Sequence, residues 1–550
     1  MDGKRPARNA ALSGFYLGIA WLCGHHEIPI MVSCAAAATW VFFSIRSWRL
    51  LRYAALSLVI AGLVSAVQLW PTYEFGARAV RWVGSVNPVA WNDRVPYTIH
   101  TIYSLPAKGI VETFLPSSST YADASPFLGA AAVTLALVGV WSRWRDRRVR
   151  YLAATAVLST LFALGAFTPL HGILYSLSPL LAKARIPARA IHLLDFALAV
   201  LAAYGADCVA RRDFPRRIGA ITAGFGVLLL GTLVVQAAGG HEPDDRLWLT
   251  ALCALATATV LRMAHRASID AKFATAVLLG LVLMELHNLS TRFPHRFEPP
   301  GLKFASNLLK NRDIADWLRA QPGPVRVLVN DADVPENFGD WHQIEMLQGY
   351  LAGVPANLAN GSLHTQRRQE LFGVTHMVGR QPGRPDRVAL FEGASGVKVF
   401  SNPGSMPRAW SVHRAIRAND TGHLDRLIED PVFDFHERAA FLGAPPQLEP
   451  CAQPDQIDIT RRGTDRVTIR AQMACRGLVI LGDSYYPGWR CKVDGRPAEV
   501  LEVYGLIRGV VVEAGPHTVD MIYRPLSNLG GAALTLAGVL ATLALVRFGR

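Results

Sequence analysis

The chain has 550 residues, of which 51% are hydrophobic and 18% are charged, and its formal net charge is +14. This length exceeds that of one ordinary domain, and the apolar excess excludes a chain that is water-soluble throughout. Arginine and lysine cluster in short segments between apolar runs and form no basic stripe interleaved with aromatic residues, which argues against a nucleic-acid-binding protein.

Ten apolar runs have the length and composition of membrane-spanning helices. They lie at 9–24, 27–45, 52–70, 125–142, 151–168, 188–209, 217–238, 247–263, 273–290 and 527–547. The sequence therefore predicts a polytopic α-helical membrane protein, with a helical membrane domain at 1–290 and a C-terminal membrane helix at 527–550.

The distribution of positive charge predicts the orientation of these spans. Alternate connecting segments are rich in arginine or lysine, namely MDGKRPARN, RSWRLLR, SRWRDRRVR, ARRDFPRR, RMAHRASIDAK and the terminal RFGR. The intervening segments, among them GHHE and GGHEPDDR, are not. Because positively charged loops stay on the cytoplasmic side, both termini are expected in the cytoplasm and the large region 291–526 outside.

The region 291–526 is expected to be an exported α+β domain. Its first part, 291–430, mixes a helix pattern from Leu308 to Leu318 with a short strand pattern from Val325 to Val329. Its second part, 431–526, contains runs such as QIDIT, RVTIRAQM and HTVDMIYRP, which turn signals separate at the spacing of a β-sandwich.

An aromatic turn stands out within the second part, in the stretch GDSYYPGWRCKVDG at 482–495. Its pattern predicts a β-hairpin that turns at Pro487-Gly488, followed by a second turn at Asp494-Gly495. Tyr485, Tyr486 and Trp489 are candidates for a platform that binds the acceptor or a sugar. The alternative is that these aromatic residues fill the sandwich core or dock on the membrane domain.

Three of the seven cysteines lie in the predicted exported domain, where disulfides can form. Cys475 and Cys491 flank the predicted hairpin and are one candidate pair. Cys451 with Cys475 is the other. The cysteines of the apolar runs are expected to be small packing residues.

Several stretches resemble one family. LVILGDSYYPGWRCKVDGRPAEVLEVYGLIRGVVVEAGPHTVDMIYRP resembles the C-terminal signature of the bacterial YfhO-like membrane proteins, with its YYPGW-type turn, VDG turn, RGV strand and Y-RP exit into the last helix. LGAFTPLHGILYSLSPLLAKARIPARA, QLWPTYEFGARAVR, LFGVTHMV and VFSNPGSMPRAW are similar to further segments of that family. The resemblance covers nearly all of the chain.

The resemblance implies a GT-C type glycosyltransferase of the bacterial inner membrane. Such a protein takes a sugar from a polyprenyl-phosphate carrier on the outer face and passes it to an envelope polymer or lipid. GT-C enzymes usually place a catalytic carboxylate in a large first outer loop, whereas the first outer loop here is only GHHE. GHHEIPI resembles an internal loop of the family, so the resemblance also implies that the chain starts partway into the family pattern.

Transfer of a sugar from a lipid phosphate requires cations that hold the departing phosphate. Arg185 and Arg189 flank Pro187 at the outer end of a predicted span, where they would share a helix face close to free backbone N–H groups. His171 on the same outer segment is the third candidate for binding the donor phosphate. The alternatives are arginines that snorkel to the interface or lock the loop through salt bridges, and a structural histidine.

The same chemistry requires a carboxylate that deprotonates the acceptor hydroxyl. The candidates are Glu27 in the GHHE loop, Glu74 and Asp93. Glu74 stands four residues before Arg78, a spacing that is also typical of an ordinary helix ion pair. Asp93, like Asp123, lies among aromatic residues, which suit sugar stacking and an interfacial aromatic belt equally well.

No cofactor is firmly predicted, although a divalent metal would suit His25, His26 and Glu27 if a fourth ligand came from elsewhere. Motifs for nucleotide binding and for serine hydrolases are missing from the sequence. The competing hypothesis is a non-catalytic membrane scaffold or binding protein of the same family that has lost the donor site. A transporter is weaker, because paired interrupted spans are not visible in the sequence.

Overall fold

The computed structural model describes residues 5–116, 124–179, 181–183, 185–290, 306, 308–349, 351–359, 363 and 365–549. Asp123, one of the carboxylates considered above, lies outside these residues.

The described helices are numbered here in chain order. They are α1 (Pro6–Leu22), α2 (Glu27–Ser44), α3 (Leu51–Val64), α4 (Ala66–Gly76), α5 (Tyr97–His100), α6 (Gly129–Ser142), α7 (Arg147–Ala163), α8 (Pro169–Leu177), α9 (Ile191–Ala210), α10 (Arg216–Ala238), α11 (Asp245–His265), α12 (Ala271–Ser290), α13 (Arg312–Arg319), α14 (Phe338–His342), α15 (Ala356–Ala359), α16 (Gln366–Leu371), α17 (Thr421–Glu429) and α18 (Leu526–Phe548).

The described strands are numbered in the same way. They are β1 (Ala79–Arg81), β2 (Val89–Ala90), β3 (Arg326–Val329), β4 (Glu345–Met346), β5 (Val354–Pro355), β6 (His376–Gly379), β7 (Ala389–Glu392), β8 (Lys398–Ser401), β9 (Ala409–Val412), β10 (Arg414–Arg417), β11 (Arg438–Phe441), β12 (Gln456–Arg462), β13 (Arg466–Met473), β14 (Gly477–Ser484), β15 (Trp489–Val493), β16 (Arg496–Ala498), β17 (Leu501–Val503), β18 (Ile507–Val512) and β19 (Gly515–Tyr523).

The helical part contains membrane-spanning candidates, as the sequence predicts. Within the described residues, five helices are long and apolar enough to cross a membrane, namely α2, α10, α11, α18 and the helix Pro187–Ala210 that includes α9. A sixth span results if the bent pair α3 and α4 counts as one. By length and composition these helices identify a membrane-associated protein. Each of the ten predicted runs coincides with helix, but α6 has only 14 residues, and ten spans are not shown.

The predicted span 52–70 is not one continuous helix. The chain bends by 71° between α3 and α4, at Ser65, whose hydroxyl donates to the Ala61 carbonyl at 2.7 Å. Thr535 of α18 forms hydrogen bonds with backbone groups that lose their helical partners at the bend. Its hydroxyl oxygen accepts the Val67 N–H at 3.0 Å, and the hydroxyl also lies 3.1 Å from the Val64 carbonyl. The break is therefore stable because a distant helix supplies hydrogen bonds to the backbone groups at the bend. A hydropathy pattern gives no information about such contacts.

The last helix packs closely against this bend. A Cβ atom at Gly531 would lie 2.8 Å from the Ala66 carbonyl oxygen, and one at Gly538 would lie 2.7 Å from the Leu63 Cβ atom. Small residues at helix contacts let two backbones approach in this way. The glycines of α18 thus hold the C-terminal helix in the angle between α3 and α4.

The C-terminal β-rich region begins with a mixed sheet. Its strand order is β4-β3-β6-β8-β7, with β3 parallel to β4 and β6, and with β8 antiparallel to both of its neighbours. Ile314 of α13 and Phe338 of α14 pack with Val327 and Val378 of the sheet in one apolar core. The helix and strand patterns predicted near 308–318 and 325–329 thus correspond to observed elements.

Two further antiparallel sheets form a β-sandwich. One has the order β12-β13-β19-β15-β16 and the other the order β17-β18-β14-β9. Their shared core contains Val467 and Ile469 from the first sheet and Val479, Leu481 and Val510 from the second. The strand β9 comes from the chain before residue 430, so the sandwich uses residues from both predicted parts of the region.

The prediction of a β-hairpin at 479–493 is wrong, because its two strands belong to different sheets. The strand β14 pairs with β18 and β9, whereas β15 pairs with β19 and β16 in the other sheet. Pro487-Gly488, with a φ of +110° at Gly488, therefore carries the chain from one sheet to the other. The second turn is a true hairpin turn, because Val493 pairs with Arg496 across Asp494-Gly495.

The disulfide joins Cys451 to Cys475, with the two Cα atoms 6.0 Å apart. The alternative pair of Cys475 with Cys491 is not formed. Cys491 is buried in the core of the sandwich, and the pKa of its thiol is raised to about 12 by burial and by the negative charge of Asp520. Its position on β15 directs it into the core and away from the loop that holds Cys475.

A small sheet joins the helical part to the β-rich region. The strand β1, which follows α4, pairs antiparallel with β2 on one side and with β5 on the other. Val80 stands opposite Val354, and the Ala356 N–H donates to the Arg78 carbonyl at 2.8 Å. The segment after α4 is thus bonded directly to the β-rich region.

Candidate functional site

The structure brings three of the predicted site residues together, although they lie far apart in sequence. Glu27, the first residue of α2, is only 3% exposed. Its carboxylate forms an ion pair with the Arg189 guanidinium and accepts the Arg185 backbone N–H at 3.1 Å. The Arg189 guanidinium also lies 2.8 Å from the His25 ring nitrogen Nε2. A predicted carboxylate and two predicted phosphate ligands therefore share one site.

The local backbone places these arginines. Pro187 begins a turn of 3₁₀-helix that runs directly into α9, which fits its fixed φ at a helix start. The residue before it, Ile186, has a φ of +59°, a conformation that is rare for a β-branched side chain. This turn brings the Arg185 N–H and the Arg189 side chain to the same carboxylate.

Arg81 and Lys183 adjoin these residues. We call the whole group the Glu27 cluster (Glu27, Arg81, Lys183, Arg185 and Arg189). The Arg185 guanidinium donates to the Val83 carbonyl at 2.8 Å, and that of Arg81 donates to the Lys183 carbonyl at 2.6 Å. These bonds tie the segment after β1 to the segment before α9. Arg189 and Arg81 thus bring positive charge to one buried carboxylate, while Lys183 joins the cluster through its backbone carbonyl.

Electrostatics in the Glu27 cluster reflects this excess of positive charge. Burial and the charge of Arg185 lower the pKa of Arg81, and burial together with the charge of Arg81 lowers the pKa of Lys183. Burial and Arg81 also lower the pKa of His26, so its imidazole is neutral at pH 7. An anion that entered the cluster would relieve the repulsion between these groups.

His171, the third predicted phosphate ligand, lies in a separate aromatic cluster. Its ring is fully buried, with centroids 4.9 Å from those of His100 and Phe162, and its Nδ1 atom is 3.4 Å from the Tyr97 hydroxyl. Burial and the nearby His100 lower the pKa of His171 to about 4. A neutral imidazole supplies no positive charge to a phosphate.

The other two predicted carboxylates are not in the Glu27 cluster. Glu74 of α4 lies 4.0 Å from Arg78, which follows that helix, in the i, i+4 pairing that was the alternative. The Asp93 carboxylate accepts the Ala90 N–H at 2.9 Å and closes a turn. The Asp93 carbonyl accepts the Lys183 ammonium at 2.7 Å, so Asp93 borders the cluster through its backbone.

The predicted aromatic platform divides between two places. Trp489 and Tyr486 line a cavity of about 540 Å³, together with Tyr523 and with Phe75 of α4. The Phe75 and Tyr486 ring centroids are 6.1 Å apart. Tyr485 lies outside the lining of this cavity, and burial and Glu502 raise the pKa of its hydroxyl.

Sequence reasoning missed the charged group in the same cavity. Asp483 lies within 3.0 Å of a guanidinium nitrogen from each of three arginines, at 2.8 Å for Arg326, 2.5 Å for Arg408 and 3.0 Å for Arg508. Burial raises the pKa of Asp483, but the charges of the arginines outweigh burial and hold this pKa below its usual value. The only local signal was an aspartate directly after a run of buried strand residues.

A second carboxylate extends this group. Glu345 pairs with Arg408 at 2.9 Å and with Arg462 at the edge of the cavity, and it lies 3.8 Å from Arg326. We call the cavity with these six charged residues the Asp483 cleft.

Metal ligands are not grouped in the described part of the chain. Among the described residues, no three histidine, cysteine, aspartate or glutamate side chains converge as metal ligands. His25 contacts Arg189 instead of forming a site with His26 and Glu27. Comparisons with family models, with curated proteins and with solved structures found no match to this chain.

Proposed function

We propose that this chain is a membrane glycosyltransferase-like protein. It would transfer a sugar from a polyprenyl-phosphate carrier to a cell-envelope acceptor on the outer face of the bacterial inner membrane. The ten-span topology with both termini in the cytoplasm is part of this proposal. The single observation that supports it best is the convergence of Glu27 with Arg185 and Arg189 at the start of the helix Pro187–Ala210.

The charges of the Glu27 cluster suit the proposed chemistry. A lipid phosphate would enter beside Arg189, Arg185 and Arg81, whose guanidinium groups match phosphate oxygens. By competing for Arg189, the phosphate would release Glu27 from its ion pair. Glu27 would then accept the proton of the acceptor hydroxyl, whose oxygen attacks the anomeric carbon. The bond from that carbon to the phosphate oxygen breaks, and the arginines stabilise the phosphate charge that develops.

Donor binding and turnover in membranes test the two roles separately. With a radiolabelled polyprenyl-phosphate sugar, R189A should reduce donor binding by at least ~10-fold, because a charge-assisted contact to phosphate is lost. R211A is the matched control, since Arg211 follows the opposite end of the same helix and is exposed. E27Q should keep donor binding and lose turnover by ~100-fold or more, as expected when a general base is removed.

Two results would overturn the proposal. One is R189A membranes that bind the lipid phosphate as well as the wild-type and R211A membranes do. The other is turnover in E27Q equal to that of the wild type, which would remove the carboxylate from the chemistry.

One observation favours the alternative, a non-catalytic membrane scaffold or binding protein. Glu27 is almost fully buried, and its two oxygens are already bonded to Arg189 and to the Arg185 N–H. A structural ion pair has the same arrangement. In that case E27Q and R189A would lower the stability of the protein, while the wild type would show neither donor binding nor turnover.

A further inference from the structure

The Asp483 cleft carries an imbalance of charge. Its four guanidinium groups, from Arg326, Arg408, Arg462 and Arg508, face only the two carboxylates of Asp483 and Glu345 among the described residues. Two formal positive charges are therefore left over. Three of the four arginines are deeply buried, with side chains exposed by 3% for Arg508 and by 10% for Arg326 and Arg408. Burying an uncompensated charge is costly, so such a group favours a bound anion.

Arg508 has unused hydrogen-bonding capacity at this place. Its Nη2 atom bonds Asp483 at 3.0 Å, but its buried Nε and Nη1 atoms have no hydrogen-bond partner. The buried Nε atom of Arg408 also has none. Burial and the neighbouring arginine charges lower the pKa of Arg508 to about 10 in spite of Asp483. These donors belong to residues that line the cavity.

The walls of the cleft are aromatic. The Arg508 guanidinium lies 3.6 Å from the centroid of the Trp489 ring, and the Trp489 and Tyr523 centroids are 5.4 Å apart. Tyr486 and Phe75 line the same cavity of about 540 Å³. Its volume is that of an ordinary small-molecule site. A ring with an apolar face would stack against these side chains while a charged substituent reaches the arginines.

We propose that the Asp483 cleft binds an anionic saccharide, meaning a sugar ring that carries a phosphate or a carboxylate group. The oxyanion takes the positive charge that Asp483 and Glu345 leave uncompensated, and the sugar ring packs against the aromatic side chains that line the cavity. Guanidinium groups match phosphate and carboxylate oxygens in the same planar way, so both substituents belong to one ligand chemistry. The site is separate from the Glu27 cluster, and the inference does not depend on sugar transfer.

Calorimetric titration of the detergent-solubilised full chain tests this inference. The probes are glucose 1-phosphate, glucuronate, neutral glucose and inorganic phosphate. Glucose 1-phosphate or glucuronate should bind at least ~10-fold more tightly than glucose, because a charge-assisted contact is worth more than a neutral one. Preference between the first two probes identifies the natural substituent. Inorganic phosphate should bind more weakly than glucose 1-phosphate, since it lacks the stacking ring.

Three variants connect the binding to the cleft. R508K keeps the charge but loses the planar fork, and it should weaken glucose 1-phosphate binding by ~10-fold. W489A should remove the preference for glucose 1-phosphate over inorganic phosphate. R490A is the matched control, because Arg490 is the exposed neighbour of Trp489 on β15 and is not part of the cavity lining. If R508K does not fold, R462A at the more exposed edge of the cleft replaces it.

Several results would contradict the inference. They are equal binding of glucose and glucose 1-phosphate, no saturable binding of either anionic sugar, or binding that R508K or R462A leaves unchanged. The last two would mean that the arginines only hold the sheets together. R189A, which removes the proposed phosphate contact of the Glu27 cluster, should bind glucose 1-phosphate as the wild type does, so that a failure of the proposed sugar transfer remains distinguishable from a failure of this site.

Discussion

The bend between α3 and α4 gives the sharpest stability prediction, because one hydroxyl on a distant helix serves it. The Thr535 oxygen accepts the Val67 N–H at 3.0 Å, and its hydroxyl lies 3.1 Å from the Val64 carbonyl and 3.2 Å from the Leu63 carbonyl. T535V keeps the shape of the side chain and removes all of these contacts. The expected loss in the free energy of unfolding is about 1–2 kcal/mol, since polar contacts between membrane helices average about 0.6 kcal/mol and reach about 1.7.

The same helix provides a matched control. Thr542 is buried on α18, and its hydroxyl donates at 2.8 Å to the Gly538 carbonyl within its own helix. That carbonyl lies inside α18 and keeps its backbone partner when the hydroxyl is removed. T542V should therefore change the free energy of unfolding by less than about 0.5 kcal/mol, as is usual for a substitution that leaves no polar group unpaired.

Unfolding in mixed detergent and SDS micelles, followed by circular dichroism, measures both variants. A T535V protein as stable as the wild type would refute the role of Thr535 at the bend. Equal losses in T535V and T542V would also refute it, because the effect would then come from replacing any threonine of α18. The bend matters for the cleft as well, since α4 carries Phe75 to Tyr486.

Three further predictions concern the other parts of the molecule. D483N should lower the free energy of unfolding by about 3–5 kcal/mol, because Arg508 would lose its carboxylate and Arg326 and Arg408 would keep only Glu345. Since the pKa of Asp483 is depressed in the folded protein, this stabilisation is present above the unfolded pKa and is lost in acid as the pH falls through the folded pKa. A D483N protein as resistant to urea as the wild type would contradict this prediction. Folding lowers the pKa of His171 from 6.5 to about 4, so the unfolded chain takes up a proton first as the pH is lowered. The free energy of unfolding should therefore fall by up to about 3 kcal/mol between pH 6.5 and 4. This loss should be missing in H171N over the same pH range. C475S should lower the free energy of unfolding by about 2–4 kcal/mol through loss of the disulfide to Cys451. The buried Cys491 should react with a maleimide only after unfolding. A peptide map that joins Cys475 to Cys491 would disprove the pairing.

Some of the candidate site was predictable from short stretches of sequence. Pro187 between two arginines at the start of an apolar helix indicated where an anion would be favoured, and Glu27 followed from its place between two apolar runs. Their ion pair was not predictable, because it depends on how α2 packs against the start of α9. His171 has the residue type of a phosphate ligand, but its burial among aromatic rings removes the charge.

The Asp483 cleft shows the same limit more strongly. Its arginines come from β3, from the segment just before β9, and from β12 and β18, so no spacing rule connects them. The aromatic stretch at 485–489 indicated the right neighbourhood. The function of that stretch depends on Arg508 and Asp483, which the two sheets bring to it.

The sequence by itself determined the positions of the apolar helices, the β-rich character of the C-terminal region and the turns at 487–488 and 494–495. These features follow from hydrophobic periodicity and backbone preference, which act over a few residues. The tertiary structure alone decided the bend at Ser65, the sheets to which β14 and β15 belong, the partner of Cys475 and the charged groups around Glu27 and Asp483. Each of these depends on contacts between distant segments, where the burial of polar groups and charges selects the partners that satisfy them.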